Sequence, residues 1–258
     1  MATIMLNGHR TWAKVSKKNA PTLVLLHGGM SNSESMLGSI GPALSRHYRI
    51  AAFDRRGHGR TADTPSAFHY DLMAAETIAF LEYLGTPAHL VGHSDGGIVA
   101  LLVAIRRPDL LGRVIAIGAN YHYEGLRPME EFKLEGPDFD RWAQWYAQRS
   151  PDGIAHARQV VEKTLRLTAS EPALTTEDLG TIDVPVLVMA GDDEPIYLTH
   201  TCALYESIPN AELCIVPGTS HSVLKERTRS SVRVIRHFLE SRWPPDTEAP
   251  IRRSPAVR

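Results

Sequence analysis

A strand without polar alternation must be covered on both of its faces, and this chain is built around such segments. Thr22-Leu23-Val24-Leu25-Leu26 is a continuous apolar run, of the kind found in parallel sheets sandwiched between helices. Further strand segments read from Tyr48 to Phe53, Ala88 to Val91, Arg113 to Ile117, Val184 to Met189 and Glu212 to Val216. Between them lie stretches of helical length and period, about Glu34 to Arg46, Asp71 to Leu84, Gly96 to Arg106 and Ser222 to Glu240. Strands alternating with helices predict an α/β fold, with a mostly parallel sheet and helices on both faces. Ahead of this series, Thr3 to Leu6 and Thr11 to Val15 flank Asn7-Gly8, a strong hairpin signal.

The rhythm breaks after Asn120. About sixty residues follow with helical patterning and aromatics but no strong strand, and the alternation resumes at Val184. The expected organisation is therefore a core of residues 1–120 and 183–242, with a small helical lid of residues 121–182 inserted after the sixth strand. Residues 243–258 carry Pro244, Pro245, Pro250 and Pro255 and read as a disordered tail.

Gly92-His93-Ser94-Asp95-Gly96-Gly97 sits between a buried strand and the apolar helix of Ile98, Val99, Leu102 and Ile105. A sharp strand-to-helix turn strains its central residue, and neighbours without a β-carbon let the chain pass closely. The same turn aims free N–H groups and the positive end of a helix dipole at charge developing beside Ser94. Ser94 is thus the candidate nucleophile. The Asp95 backbone N–H is a candidate oxyanion donor. A second donor is expected from the loop His27-Gly28-Gly29-Met30, with Gly29 favoured and Met30 the alternative.

Twelve histidines are present, so position must choose the base. His221 follows the strand ending at Val216 and opens the last helix, which puts it at the carboxyl edge of a parallel sheet, beside Ser94. The acid should follow the strand Val184 to Met189, where Asp192, Asp193 and Glu194 stand in a row.

From about Thr22 to Glu240 the chain resembles the α/β-hydrolase superfamily. The motifs that carry the resemblance are His27-Gly28-Gly29, Asp54-x-x-Gly57-x-Gly59, Gly92-His93-Ser94-Asp95-Gly96-Gly97, Gly191-x-x-Glu194 and Gly218-x-Ser220-His221. Within it, the chain is similar to small lidded carboxylesterase-like members, including valacyclovirase-like and carbon–carbon hydrolase branches. The resemblance implies an eight-stranded sheet, no cofactor and a catalytic triad. Its usual Gly-x-x-Asp register puts Glu194 at the acid position, with glutamate in place of the common aspartate. The Asp54–Gly59 motif reads as a structural turn beneath the site.

The expected function is cleavage of a small carboxylic ester, thioester, lactone or activated amide through an acyl-enzyme. Carbon–carbon bond hydrolysis and cofactor-free perhydrolysis use the same residue types, and a non-catalytic hydrolase-fold binding protein is the rival from another class. Met30, Tyr121, Trp142 and Trp145 are the expected substrate contacts. Two cysteines make neither a disulfide framework nor a zinc site, and no metal is expected. A net charge of −1 gives no electrostatic case for nucleic acid or an anionic membrane as partner. There is no apolar span or signal-peptide core, so a cytoplasmic location is expected. The oligomeric state is left open.

Overall fold

The computed structural model of the chain describes residues 2–128, 132–250 and 252. Strands β1 (Ala2–Leu6) and β2 (His9–Val15) form the expected hairpin, with Asn7 and Gly8 at φ 47° and 77°, the positive angles that a tight two-residue turn requires. Strand β3 (Thr22–Leu26) is buried throughout. It leads to α1 (Ser33–Ser39), which Asn32 caps by accepting the Glu34 N–H, and to α2 (Gly41–Leu44). One helix was expected over this stretch. Pro42, which has no N–H to extend a preceding turn, instead starts a second one.

The alternation continues with β4 (Arg49–Phe53), α3 (Tyr70–Leu84), β5 (Ala88–His93), α4 (Asp95–Arg106) and β6 (Leu111–Ile117). Then come α5 (Pro137–Ala147), α6 (Ala157–Thr168) and α7 (Thr176–Gly180). Strand β7 (Val186–Asp193), α8 (Leu198–Ser207), β8 (Ala211–Ser220), α9 (Val223–Glu226) and α10 (Thr228–Glu240) complete the chain. The last two are a single expected helix broken at Arg227, where φ is −133°.

The eight strands run in the order β1-β2-β4-β3-β5-β6-β7-β8. β1, β2 and β4 pair antiparallel and the rest parallel. Along β3, Leu23 and Leu25 face a core with Met36, Ile40, Leu44, Ile235 and Phe238, whereas Val24 and Leu26 face one with Phe80, Val99 and Leu101. Strict alternation into two cores explains why no polar residue interrupts the strand.

From β3 the chain moves outward to β4, and from β5 it moves the opposite way to β6. The carboxyl ends of β3 and β5 therefore flank a crevice from which both connections diverge, the place where open α/β sheets bind ligands. The block between β6 and β7 packs Ala143, Tyr146, Val160, Leu167 and Leu179 onto the α3–α4 side. A buried ion pair, Lys163 Nζ to Asp63 Oδ2 at 2.6 Å, ties it to the loop after β4. The expected tail lies outside the described residues at 251 and 253–258. Nearer the core, Trp243 packs edge-on against Phe238.

Candidate active site

Ser94 ends β5 and caps α4 at φ 55°, ψ −124°. A non-glycine residue in this region costs about 1–3 kcal/mol and persists only when its surroundings over-determine it. Here the Ser94 N–H donates to Ile117 O at 2.8 Å, while its carbonyl accepts from Gly97 and Ile98 at 2.7 and 3.1 Å. The flanking glycines are obligatory. A Cβ at Gly92 would lie 2.0 Å from Gly96 O, and one at Gly96 would lie 2.3 Å from Leu26 O.

The loop after β3 closes over this turn just as tightly. A Cβ at Gly28 would approach Ser94 Cβ to 3.1 Å, and one at Gly29 would come within 2.6 Å of Asp95 Oδ2. Neither the Gly29 nor the Asp95 backbone N–H has a protein acceptor among the described residues. Gly29 lines a cleft of about 410 Å³ with Gly28, Met30, Ser94, His221 and Trp142, among others, and Asp95 directly follows Ser94 at the start of α4.

His221 follows β8, as expected, and lines the same cleft. Its Nδ1 lies 2.6 Å from Glu194 Oε2. The second oxygen of this buried carboxylate accepts the Gly191 N–H at 3.0 Å. The other two acids do different things. Asp192 accepts from the N–H groups of Gly218 and Thr219, both at 3.0 Å, and these bonds hold its carboxyl below the usual range. It shapes the turn that delivers His221. Asp193 is exposed, at the end of β7.

His93 also contributes. Its ring lies 4.9 Å from that of His221, and its Nε2 is 2.8 Å from the His221 carbonyl oxygen. A carbonyl only accepts, so His93 Nε2 carries a proton and donates it. Burial, with the neighbouring His221, lowers the His93 pKa to about 4, which keeps the ring neutral in this role.

Of the expected substrate contacts, Met30, Trp142 and Trp145 line the cleft. Trp142 Nε1 donates to Met30 O at 2.8 Å, and Met30 has a φ of 49°. Tyr121 is not among the lining residues. Its ring stacks on His200 at 4.0 Å and 9°, because the chain leaving β6 turns away from the cleft toward α8. Ser31, Ser35, Ser39 and Lys225 line the cleft and were not anticipated. The four-residue spacing of Ser35 and Ser39 puts those two on one face of α1, and Ser31, just ahead of the helix, donates to the Ser35 hydroxyl at 3.0 Å. No group of three or more His, Cys, Asp or Glu able to hold a metal occurs among the described residues. No helix there is long and apolar enough to cross a membrane.

The Asp54 turn is structural, as read. Asp54 accepts from the Ser33 N–H and hydroxyl and from the Arg60 N–H, and a Cβ at Gly59 would lie 2.3 Å from its Oδ2.

Residues 23–232 match the model of the alpha/beta hydrolase family, and the chain belongs to that family. It is 30% identical over 228 residues to the "Putative carbamate hydrolase RutD" of Agrobacterium fabrum, covering 79% of this chain and 87% of that one. It is 26% identical over 243 residues to a "Putative esterase/lipase" of Haemophilus influenzae, covering 86% and 84%. Among solved structures, the enol-lactonase of Burkholderia xenovorans superposes with a TM-score of 0.75 at 21% identity, covering 93% of this chain and 100% of that one.

Proposed function

We propose that this α/β-hydrolase is a serine hydrolase that cleaves small carboxylic esters, thioesters, lactones or activated amides through an acyl-enzyme on Ser94. The observation that carries the reading is one cleft holding a strained serine and a histidine whose Nδ1 is held 2.6 Å from a buried carboxylate.

Glu194 keeps the His221 proton on Nδ1, which leaves Nε2 as the base. Ser94 Oγ attacks the carbonyl carbon as its proton passes to His221 Nε2. The carbonyl oxygen becomes an oxyanion and accepts from the Gly29 and Asp95 N–H groups. Collapse breaks the bond to the leaving group, which takes the proton from His221. Water, deprotonated by His221, then attacks the acyl carbon, and Ser94 Oγ leaves with the proton regained. Residues 121–182 act as the lid, with Trp142 and Trp145 covering the acyl group. A carbamate carbonyl falls within the same reaction class, in keeping with the name of the Agrobacterium relative.

The test is a fluorophosphonate label read by intact mass, beside a panel of aryl esters of graded acyl length. Wild type should gain one adduct on Ser94 and hydrolyse the short esters. Ser94→Ala should do neither. An unlabelled wild type, or full esterase activity in Ser94→Ala, overturns the proposal.

A further inference from the structure

The Asp54–Gly59 turn carries two arginines that part company. Arg56 pairs with Glu76 at 2.6 Å. Arg55 runs inward beneath the loop after β3 and is 1% exposed. A buried guanidinium needs both a counter-charge and acceptors. Arg55 finds Asp95 Oδ2 at 4.0 Å, His27 O at 2.6 Å from Nη1, and Gly28 O at 3.1 Å from Nη2.

The protonation of His27 follows from its neighbours. The Arg55 backbone N–H donates to His27 Nε2 at 3.2 Å, so that nitrogen is bare. Burial and the Arg55 charge hold the His27 pKa well below its ordinary value, so the ring is neutral and its single proton sits on Nδ1. Nδ1 lies 2.7 Å from Gly28 O and donates to it. The Gly28 carbonyl thus receives two donors, one from His27 and one from Arg55, and both of its lone pairs are used.

In a trans peptide the carbonyl and the following N–H point in opposite directions, and the Gly28–Gly29 bond is not among the cis peptides. Pinning Gly28 O down onto Arg55 therefore fixes the Gly29 N–H upward, into the cleft that Gly28 and Gly29 line with Ser94. The same guanidinium faces the carboxylate of Asp95, which Tyr70 holds from its other side with a hydroxyl at 3.1 Å. Arg55 consequently touches the carbonyl of the peptide group that carries the Gly29 N–H and lies 4.0 Å from the Asp95 carboxylate.

We propose that Arg55 is a positioning residue for oxyanion stabilisation: it orients the Gly29 N–H through the Gly28 carbonyl and anchors Asp95 beside it. The inference rests on the serine-hydrolase reading of Ser94. It assigns Gly29, not Met30, as the donor, and it explains why the first arginine of this turn is an arginine.

The experiment compares wild type with Arg55→Lys, which keeps a positive charge beside Asp95 but cannot span two carbonyls as a planar fork does. Removing one oxyanion donor outright costs about 10²–10³ in kcat, so a misdirected donor should cost about 10- to 100-fold. The KM for the same aryl ester should stay within about threefold, since the planar substrate makes little use of the donor. The Ki of an aryl boronic acid, which forms a tetrahedral adduct, should rise in step with the loss of kcat, while the Ki of the product acid should not move. Unchanged kcat and boronate affinity in Arg55→Lys, even with a lowered Tm, would leave Arg55 a merely structural residue and overturn the inference.

Should Arg55→Lys fail to fold, a crystal structure of the wild-type boronate adduct decides. An adduct oxygen on the Gly29 and Asp95 N–H groups, with Gly28 O still on Arg55, supports it. An oxygen on the Met30 N–H, or a Gly28 carbonyl turned off Arg55, overturns it. A wild type that neither takes the fluorophosphonate label nor hydrolyses any ester sinks the parent reading instead, and is recognised before any variant is made.

Discussion

Glu194 Oε2 lies 2.6 Å from His221 Nδ1, while Asp192, two residues earlier, spends both of its oxygens on the backbone N–H groups of Gly218 and Thr219. Two neighbouring carboxylates therefore serve one histidine in different ways, one by holding its ring and the other by shaping the turn it stands on.

Glu194→Gln keeps the size of the side chain but reverses the tautomer it favours. It should lower kcat by about 10³–10⁴ with little change in KM. Asp192→Asn should cost stability and leave kcat within about tenfold, since loss of a turn bond is worth about 1–3 kcal/mol. Steady-state kinetics and thermal melts on the two variants separate the roles, and equal losses of kcat would refute the division.

Trp142 reaches from α5 to the loop that carries the Gly29 N–H and donates to Met30 O at 2.8 Å. Trp142→Phe keeps an aromatic ring at the cleft but removes the indole donor together with its five-membered ring. Loss of about 1 kcal/mol at that bond should lower kcat/KM about fivefold, with Tm nearly unchanged. Activity identical to wild type would mean that this contact does not steady the loop.

Lys163 and Asp63 are paired with side chains 7% and 2% exposed, and the pair joins the block after β6 to the loop after β4. Lys163→Met leaves the buried Asp63 carboxylate with His156 Nε2, 2.8 Å from its Oδ2, in place of a full cation, and should destabilise by about 3 kcal/mol. Adding Asp63→Asn should recover part of that loss. Urea unfolding of the two variants tests this, and a double variant no better than the single one would show that the pair is not the seat of the effect.

Burial lowers the pKa of His58, His89, His93 and His200 from 6.5 to about 4 in each case. An unfolded imidazole takes its proton near 6.5. Between these values the unfolded chain binds more protons than the folded one. Stability is therefore complete above about pH 6.5 and is lost progressively as pH falls toward 4. Urea midpoints measured from pH 7.5 to 4.5 should fall, and His58→Gln should flatten the slope. A midpoint constant over that range would contradict the account.

Much of the site was legible in the chain because its demands are local. Gly92 and Gly96 flank Ser94 since a β-carbon at either would strike backbone within 2.3 Å, and no other residue type meets that condition. His221 could be placed because a loop after a parallel strand always lands at the same edge of the sheet. The helix expected over 34–46 was less legible. Its break at Gly41-Pro42 follows from the missing N–H of Pro42, a local signal that a count of apolar periodicity passes over.

What the sequence determined by itself is the α/β alternation, the strained serine turn and the order of serine, acid and histidine, since each is written in short-range backbone chemistry. Only the tertiary structure decided which of three adjacent carboxylates meets the histidine. A register shift between Gly191 and Asp193 in the β7–β8 ladder changes how the residues after Gly191 meet β8, and residue spacing alone does not predict such a shift. It alone decided the place of Arg55 as well. That side chain acts across a loop 28 residues earlier in the chain, and its meaning comes from which carbonyls it finds there when the sheet closes.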